Sequence, residues 1–203
     1  MVDRWSFGGG TALMLQIDHR ESFDIDIFLD DPQLLPFLNP QTQGYGLDRR
    51  PAGYHTDGSR TLKIVFEEAG EIDFICASSL TAKPTAATEV RGVNVLLETP
   101  AEIIAKKIHY RGASMQPRDM FDIACVVKAL GRDYVLDALA PFEDECAKAL
   151  TVARQMNPAF AQNIMARLLL RDDFSDVPGE AQAVTIALLE TVCKSSHRLK
   201  ADN

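Results

Sequence analysis

The sequence predicts a mixed α/β first half followed by an all-helical second half. Segments of alternating, β-branched residues recur in the first hundred residues, at 24–29, 61–66, 71–76 and 93–97. Beyond residue 99, five helical stretches follow one another without such a segment. We therefore expect an α/β (α+β) fold, with a mixed β-sheet and flanking helices over residues 1–98 and a helical domain over residues 99–203.

The predicted elements of the first half follow in order along the chain. A short extended segment at 5–7 leads into a glycine turn and a helix at 11–18. A strand at 24–29 precedes a short helix at 31–38, and a long loop or irregular excursion, rich in Gly, Pro, Gln and Asp, spans 39–59. The strands at 61–66 and 71–76 flank a turn at 68–70 and are expected to pair as a hairpin.

The helical half opens with a strong start signal. Thr99 suits the N-cap, Pro100 the first helical position and Glu102 the acidic residue of a capping box. This helix is expected to end near Arg111. Further helices are expected at 118–130, 133–155, 158–171 and 178–198. Three histidines outside any motif are interpreted as ordinary and partly exposed: His55, His109 and His197.

Composition limits the class of protein. The 203 residues are 46% hydrophobic and 25% charged, enough to build a core, and no window approaches a membrane span. The N-terminus lacks the pattern of a signal peptide, so a cytoplasmic protein is expected. The four cysteines are widely spaced and are interpreted as buried or free thiols. A net charge of −8 argues against a protein that coats nucleic acid non-specifically.

Three glycines, Gly8, Gly9 and Gly10, directly precede the first predicted helix. Glycines in this position let backbone N–H groups approach a phosphate, and the helix N-terminus adds its positive end. The same residues also suit an ordinary tight turn between a strand and a helix. Phosphate binding is therefore predicted only in combination with the acidic residues that follow.

Two aspartates mark the strand after the first helix. Asp24 and Asp26 are two residues apart, so a strand projects both from one face and Ile25 and Ile27 from the other. Adjacent carboxylates repel unless a cation lies between them, and Mg²⁺ binds carboxylate oxygens while keeping phosphate oxygens as ligands. A solvated edge strand with acidic residues on its wet face is the alternative.

A third carboxylate, Asp73, lies on a later predicted strand with Ile72 and Phe74 on the opposite face. If this strand neighbours that of Asp24 and Asp26, the three carboxylates form one cluster. Three carboxylates that hold two metal ions are the arrangement used in phosphoryl and nucleotidyl transfer. We therefore predict Asp24, Asp26 and Asp73 as catalytic metal ligands.

The helix after Thr99 carries two adjacent lysines in different environments. Lys106 follows Glu102 by four residues, which favours a surface ion pair. Lys107 follows Ile103 by four residues and shares its apolar stripe, where a lysine either meets an anion or reaches solvent at the edge. Position alone leaves both roles of Lys107 open.

The next helix begins with Arg118, Asp119 and Asp122 and is then apolar on nearly every side, as buried helices are. Arg118 and Asp122 are four residues apart, so an internal salt bridge between them is one interpretation. A functional role for Asp122, or for Asp119, is the other.

Taken together, these motifs resemble those of the AbiEii/AbiGii toxin family of nucleotidyltransferases, whose fold is shared with DNA polymerase β. Gly8-Gly9-Gly10-Thr11-Ala12-Leu13 is followed by His19-Arg20-Glu21-Ser22-Phe23-Asp24-Ile25-Asp26, and later by an RDxxD pattern at 118–122. The resemblance extends to about Ala124. It implies a nucleotidyltransferase catalytic core at 1–98 and a helical domain at 99–203 that completes the active-site cleft.

Roles for the first-half residues follow from this resemblance. Gly9, Gly10 and Thr11 would hold the triphosphate. In the wider fold a serine often stands where this chain has Gly10, and the Thr11 hydroxyl would replace it. Asp24, Asp26 and Asp73 would bind metal. Arg20 would shape the turn before the catalytic strand, together with His19 and Ser22, or would reach a phosphate instead.

For the helical half, the resemblance favours Lys107 as a triphosphate-binding lysine, with Lys106 as the second choice. Asp122 would be a catalytic or base-positioning residue, with Asp119 as the second choice. The cofactor implied is Mg²⁺, held at a two-metal site, and the substrate is an NTP.

The activity implied is transfer of a nucleoside monophosphate from an NTP to a hydroxyl acceptor, with release of pyrophosphate. The family further implies the toxin of a toxin–antitoxin or phage-defence pair, restrained by a cognate antitoxin protein. The acceptor is expected to be a tRNA 3′ end or, alternatively, a protein hydroxyl. A catalytically silent nucleotide-binding or protein-interaction module of the same fold is the competing hypothesis.

Overall fold

The chain forms two compact units. The computed structural model describes residues 4–201, with side chains described for residues 4–194, so His197 lies outside the described side chains. One unit, here called the sheet unit, comprises the chain up to Gln16 with Ser22–Ser79 and Lys83–Thr99. The other, the helical unit, comprises Ile17–Glu21, Leu80–Ala82 and the chain from Pro100 onward. Two short segments of the first half therefore belong to the helical unit.

Within the described residues, the sheet unit contains a seven-stranded mixed sheet. Its strands are β1 (Trp5–Gly8), β2 (Ile25–Leu29), β3 (Gly53–Thr56), β4 (Thr61–Phe66), β5 (Gly70–Cys76), β6 (Thr85–Val90) and β7 (Val93–Glu98). They lie in the order β3-β4-β5-β2-β1-β7-β6, with the pairs β2–β5 and β1–β7 parallel and the others antiparallel. The predicted β4–β5 hairpin is confirmed, and β2 lies beside β5, which was the condition for the three carboxylates to form one cluster.

Three helices accompany the first strands: α1 (Gly9–Ile17), α2 (Leu35–Leu38) and α3 (Pro40–Gln43). The prediction of a long loop or irregular excursion at 39–59 is wrong for the residues of α3 and β3, which lie within that segment. Asn39 begins α3 by accepting a hydrogen bond from the Gln41 N–H, and β3 pairs with β4 along its whole length. β6 was also not predicted, and it pairs with β7 across a turn that holds Gly92 at φ +81°.

One face of the sheet is apolar and packs into a core. Leu29 and Leu62 are almost fully buried and pack with Leu35 of α2. Partly buried residues complete this cluster: Trp5, Ile27, Leu38, Phe74 and Cys76. Since side chains alternate along a strand, the residues between these positions project from the other face. That second face carries the predicted carboxylates.

The helical unit contains α4 (Pro100–Arg111), α5 (Pro117–Leu130), α6 (Arg132–Leu139), α7 (Glu143–Gln155), α8 (Pro158–Met165) and α9 (Val177–Ala201). The single helix predicted at 133–155 is wrong, because the chain breaks between α6 and α7 at Pro141, which has no N–H to donate. α8 also ends earlier than predicted. Residues beyond it turn back, and Leu170 forms a β-bridge with Arg20.

The burial predicted for α5 is confirmed, since Met120, Phe121 and Ile123 are completely buried. The four cysteines are free thiols, with Cys125 and Cys146 buried, as interpreted from the sequence. No helix among residues 4–201 combines the length and the apolar character that crossing a membrane requires.

Candidate active site

A row of residues crosses five strands of the sheet in register. His55 of β3 stands opposite Lys63 of β4, and Lys63 stands opposite Asp73 of β5. Asp73 in turn stands beside Asp26 of β2, which is opposite Gly8 of β1. Directly opposed residues project from the same face with Cβ atoms about 5 Å apart. These five residues, here called the polar row, therefore line one face of the sheet.

Asp26 lies against the glycine turn. α1 begins at Gly9, two residues before the predicted Thr11, so the glycines form the first turn of the helix itself. Gly9 has φ +68°, and a Cβ added to it would overlap the Asp26 carboxylate. Only glycine therefore permits this approach of the carboxylate to the N-terminus of α1. The positive end of a helix stabilises a nearby negative charge.

Asp24 lies one residue before β2 and is held on both sides. The Thr11 hydroxyl donates a hydrogen bond to the Asp24 carbonyl oxygen, which ties α1 to the start of the strand. The Asp24 carboxylate accepts from the Glu71 N–H at 3.3 Å. Gly70, at φ +91°, has no side chain to clash with the Phe23 carbonyl beside it. Asp24 is thus fixed next to β5, close to the polar row.

Asp73 pairs with a residue that the sequence prediction missed. Lys63 Nζ lies 3.1 Å from Asp73 Oδ2 and also contacts the Glu71 carboxylate. Burial raises the pKa of Asp73, Lys63 opposes that rise, and Glu71 and Asp24 add to it, with a net upward shift. The sequence contained the information needed to predict this pair, because a hairpin that turns between Phe66 and Gly70 sets Lys63 opposite Asp73.

The carboxylates of the row have the donor chemistry that Mg²⁺ takes, since it binds hard oxygen ligands. The structure brings Asp26 and Asp73 side by side and Asp24 close to them. Over the described part of the chain, no three His, Cys, Asp or Glu side chains are grouped closely enough to hold a metal ion. The Asp73 carboxylate is turned to Lys63.

A second cluster of charges lies in the helical unit, around Asp122. Its Oδ1 lies 3.0 Å from His19 Nε2 and 3.0 Å from Arg20 Nε. Its Oδ2 lies 3.0 Å from Lys107 Nζ, which also donates to Asp119 Oδ1 at 2.8 Å. We call these five residues the Asp122 network. His19 and Asp122 are completely buried, and the Lys107 side chain is 11% exposed.

Electrostatic interactions keep Asp122 and Lys107 ionised. Burial would raise the pKa of Asp122, but Lys107, His19 and Arg20 outweigh it and hold the pKa well below its usual range. Burial would lower the pKa of Lys107, but Asp122 and Asp119 outweigh it and raise the pKa. Buried charges are tolerated when they are paired and hydrogen-bonded in this way.

The network decides between interpretations that the sequence left open. Arg118 is exposed, and Asp122 pairs with residues from elsewhere, so the Arg118–Asp122 salt bridge is wrong. Arg20 is buried against Asp122 and lies in the turn before β2, where the sequence predicted it to shape the chain. The contact between His19 and Asp122 was not predicted, because no local pattern connects residues so distant in sequence.

Lys106 and Lys107 have different ion-pair partners, as their spacing predicted, but both side chains are largely buried. Lys106 pairs with Glu102 at 3.6 Å, so the predicted ion pair is confirmed. Its location at the surface is wrong, since Lys106 is 5% exposed and Glu102 is completely buried. Glu102 also accepts from the N–H groups of Leu80 and Thr81, at 2.9 and 2.8 Å. Lys106 therefore belongs to a contact that holds residues 80–82 to α4.

Several solved structures resemble the chain at low identity. JHP933 of Helicobacter pylori is 16% identical, with 97% of this chain and 88% of that chain covered and a TM-score of 0.48. CdnG, a CD-NTase of Bradyrhizobium diazoefficiens solved in complex with GTP, is 12% identical, with coverage of 98% and 79% and a TM-score of 0.31. No curated protein sequence matches the chain.

A protein family matches nearly the whole chain. Residues 2–184 match the family described as nucleotidyl transferase AbiEii toxin, type IV toxin–antitoxin system. The matched range includes the glycine turn, the three aspartates and the Asp122 network. The chain belongs to the AbiEii family of nucleotidyltransferase toxins.

Proposed function

We propose that the protein is an Mg²⁺-dependent enzyme that moves a nucleoside monophosphate from an NTP to a hydroxyl acceptor. The observation that carries this proposal is the position of Asp26, which stands beside Asp73 and against Gly9 at the start of α1. Carboxylates bind the divalent cation of a metal-bound triphosphate, and a helix N-terminus favours its phosphates. Asp26 meets both requirements, because it lies beside a second carboxylate and against the start of α1.

The sheet unit supplies the chemistry in this proposal. Backbone N–H groups of Gly9, Gly10 and Thr11 bind the phosphates, because the Thr11 hydroxyl is already engaged with the Asp24 carbonyl oxygen. Asp24, Asp26 and Asp73 would hold Mg²⁺, which when bound would neutralise charge on the leaving pyrophosphate and lower the pKa of the attacking hydroxyl. The acceptor oxygen forms a bond to the α-phosphorus, and the bond from that phosphorus to the oxygen bridging to the β-phosphate breaks. Pyrophosphate departs with the bridging oxygen, and the hydroxyl proton passes to water.

The helical unit supplies Lys107 and Asp122. We assign phosphate binding to Lys107, whose side chain is partly accessible and whose raised pKa keeps it charged. Asp122 is completely buried and its pKa lies well below the usual range, so it is a poor proton acceptor. Its role is to orient Lys107 and Arg20, and it is therefore a positioning residue. Arg20 and Asp119 support Lys107 in the same network.

Family membership supports the proposed biological role. We propose that the protein is the toxin of a toxin–antitoxin or phage-defence pair, acting in the cytoplasm and restrained by an antitoxin protein. The proposed acceptor is the 3′-terminal hydroxyl of tRNA, which meets NTPs in that compartment. A protein hydroxyl and a silent nucleotide-binding module are the two outcomes against which this assignment is tested.

The test uses each of the four NTPs, labelled at the α-phosphate, with Mg²⁺ and either total RNA or total protein as acceptor. We expect label in small RNA, and loss of label with Asp26→Asn. Asp30→Asn is the matched control, because Asp30 is an exposed aspartate just beyond β2. Label in protein instead would reassign the acceptor. NTP binding without transfer to either would overturn the enzyme assignment and favour the silent module.

A further inference from the structure

Lys63 places its positively charged ammonium group among the carboxylates of the polar row. Its ammonium lies 3.1 Å from Asp73 Oδ2 and contacts Glu71, while Asp73 stands beside Asp26 in the sheet. The row and its surroundings thus combine the carboxylates of Asp24, Asp26, Asp73 and Glu71 with the ammonium of Lys63. A divalent cation that binds Asp73 has to share that carboxylate with Lys63 or take its place.

We propose that Lys63 is a positioning residue, an internal counter-ion that holds Asp73 and that a divalent cation displaces on binding. The proposal rests on the metal-dependent function proposed above and adds a residue that this function does not include. It makes Lys63 a determinant of how tightly the site binds metal, because its positive charge opposes the entry of a second cation.

The local structure is suited to such a displacement. The backbone at Lys63 is fixed, since its neighbours Leu62 and Ile64 are 2% and 3% exposed and β4 pairs on both sides. The Lys63 side chain, in contrast, is 34% exposed, so its ammonium has access to water. Glu71 offers a second carboxylate in contact with Lys63. Lys63 therefore keeps a carboxylate partner when its ammonium moves away from Asp73.

If Lys63 has this role, removing its charge should increase the affinity of the site for a divalent cation. Removing the charge of Lys63 leaves the nearby carboxylates without that cation, so their mutual repulsion rises and a divalent cation gains more by binding. We expect Lys63→Met to bind the cation about tenfold more tightly, because the repulsion between a divalent cation and a nearby ammonium group is lost. A residue with a purely structural role would lower stability and leave metal affinity unchanged or weaker.

The experiment titrates the full-length protein with Mn²⁺, a paramagnetic probe for the Mg²⁺ site, and measures free Mn²⁺ by electron paramagnetic resonance without nucleotide. Lys63→Arg should match the wild type because it keeps the charge. Lys83→Met should also match, because Lys83 is an exposed lysine of the same unit and gives the same change in net charge. Asp26→Asn identifies the site by abolishing its Mn²⁺ binding.

Two failures are distinguishable. If Asp26→Asn abolishes Mn²⁺ binding but Lys63→Met binds no more tightly than the wild type, the counter-ion role of Lys63 is overturned and the metal site stands. If the wild type shows no Mn²⁺ binding that depends on Asp26, the metal site of the proposed function fails, and the role of Lys63 fails with it. The proposal is supported if Lys63→Met binds Mn²⁺ more tightly than the wild type while Lys63→Arg and Lys83→Met do not.

Discussion

Lys107 and Asp122 form an ion pair with 3.0 Å between Nζ and Oδ2, in which the aspartate is completely buried. The pair joins α4 to α5 and explains how a lysine occupies the apolar stripe of α4. A buried charge is costly alone, but here each partner meets at least two opposite charges or donors. The same pair links the stability of the helical unit to the residue we assign to phosphate binding.

The first prediction concerns the stability that depends on Asp122. Asp122→Asn removes the carboxylate charge that His19, Arg20 and Lys107 share, so the buried Arg20 loses its carboxylate partner and Lys107 keeps only Asp119. We expect a loss of about 3–5 kcal/mol in the free energy of unfolding, as is found when a buried pair is broken. Chemical denaturation measures it. The control is Asp176→Asn, which removes an exposed partner of Lys128 and should change stability much less. Equal losses in the two variants would contradict the central position of Asp122.

The second prediction concerns how the stability of the protein depends on pH. The folded-state pKa values of Asp122 and Asp119 are lowered, so their contribution to stability is complete above the ordinary aspartate value of 3.8 and is lost as the pH falls through the folded values. The pKa of Lys107 is raised, so its contribution is complete below 10.5 and is lost only in strong base. We therefore expect the stability difference between wild type and Asp122→Asn to be constant near neutral pH.

That difference should shrink as the pH falls below the ordinary aspartate value of 3.8, because the unfolded wild-type chain then takes up a proton that the folded Asp122, with its lowered pKa, does not. Denaturation curves for both proteins over this range provide the measurement. A difference that stays constant down to about pH 2 would mean that Asp122 owes its stabilising effect to packing rather than to charge.

The third prediction concerns Gly9. Gly9→Ala places a Cβ onto the Asp26 carboxylate and also keeps a non-glycine residue at φ +68°. Gly44→Ala is the matched control, since Gly44 has φ +75° but nothing within 4 Å of an added Cβ. The control should lose about 1–2 kcal/mol from backbone strain alone. Gly9→Ala should lose more than the control and should also lose transfer activity, as measured by denaturation and by the labelling assay. Similar behaviour of the two variants would argue against a tight approach of Asp26 to Gly9.

Local patterns were sufficient to predict the carboxylates of the sheet unit. Alternation placed Asp26 and Asp73 on the faces opposite their apolar neighbours, and the hairpin signal between β4 and β5 was strong. Whether β2 lies beside β5 is a matter of topology, which the sequence could only state as a condition. The structure supplies it, with Asp26 opposite Asp73 in parallel strands.

Contacts between residues distant in sequence were beyond the reach of local patterns. His19 and Asp122 meet through the fold of the helical unit, and neither residue carries a signal for the other. β3 was missed for a related reason. Glycine and proline around it predicted a loop, but pairing with β4 makes Gly53–Thr56 an edge strand. For β3, tertiary pairing therefore overrode local propensity.

The last prediction separates the adjacent lysines by function. Lys107→Met removes the proposed phosphate contact, while Lys106→Met breaks the buried pair with Glu102, which also holds Leu80 and Thr81. We expect Lys107→Met to weaken NTP binding about 10- to 100-fold, the range of a charge-assisted hydrogen bond. Lys106→Met should lower stability and leave NTP affinity nearly unchanged.

Calorimetric titration with Mg²⁺ and NTP, paired with denaturation of each variant, tests this separation. Because both substitutions remove one positive charge from α4, any general electrostatic effect on an anionic ligand is the same for the two proteins. A difference in affinity between them therefore reports a specific contact. Equal affinities would move phosphate binding away from Lys107 and leave its pair with Asp122 as a purely structural feature of the helical unit.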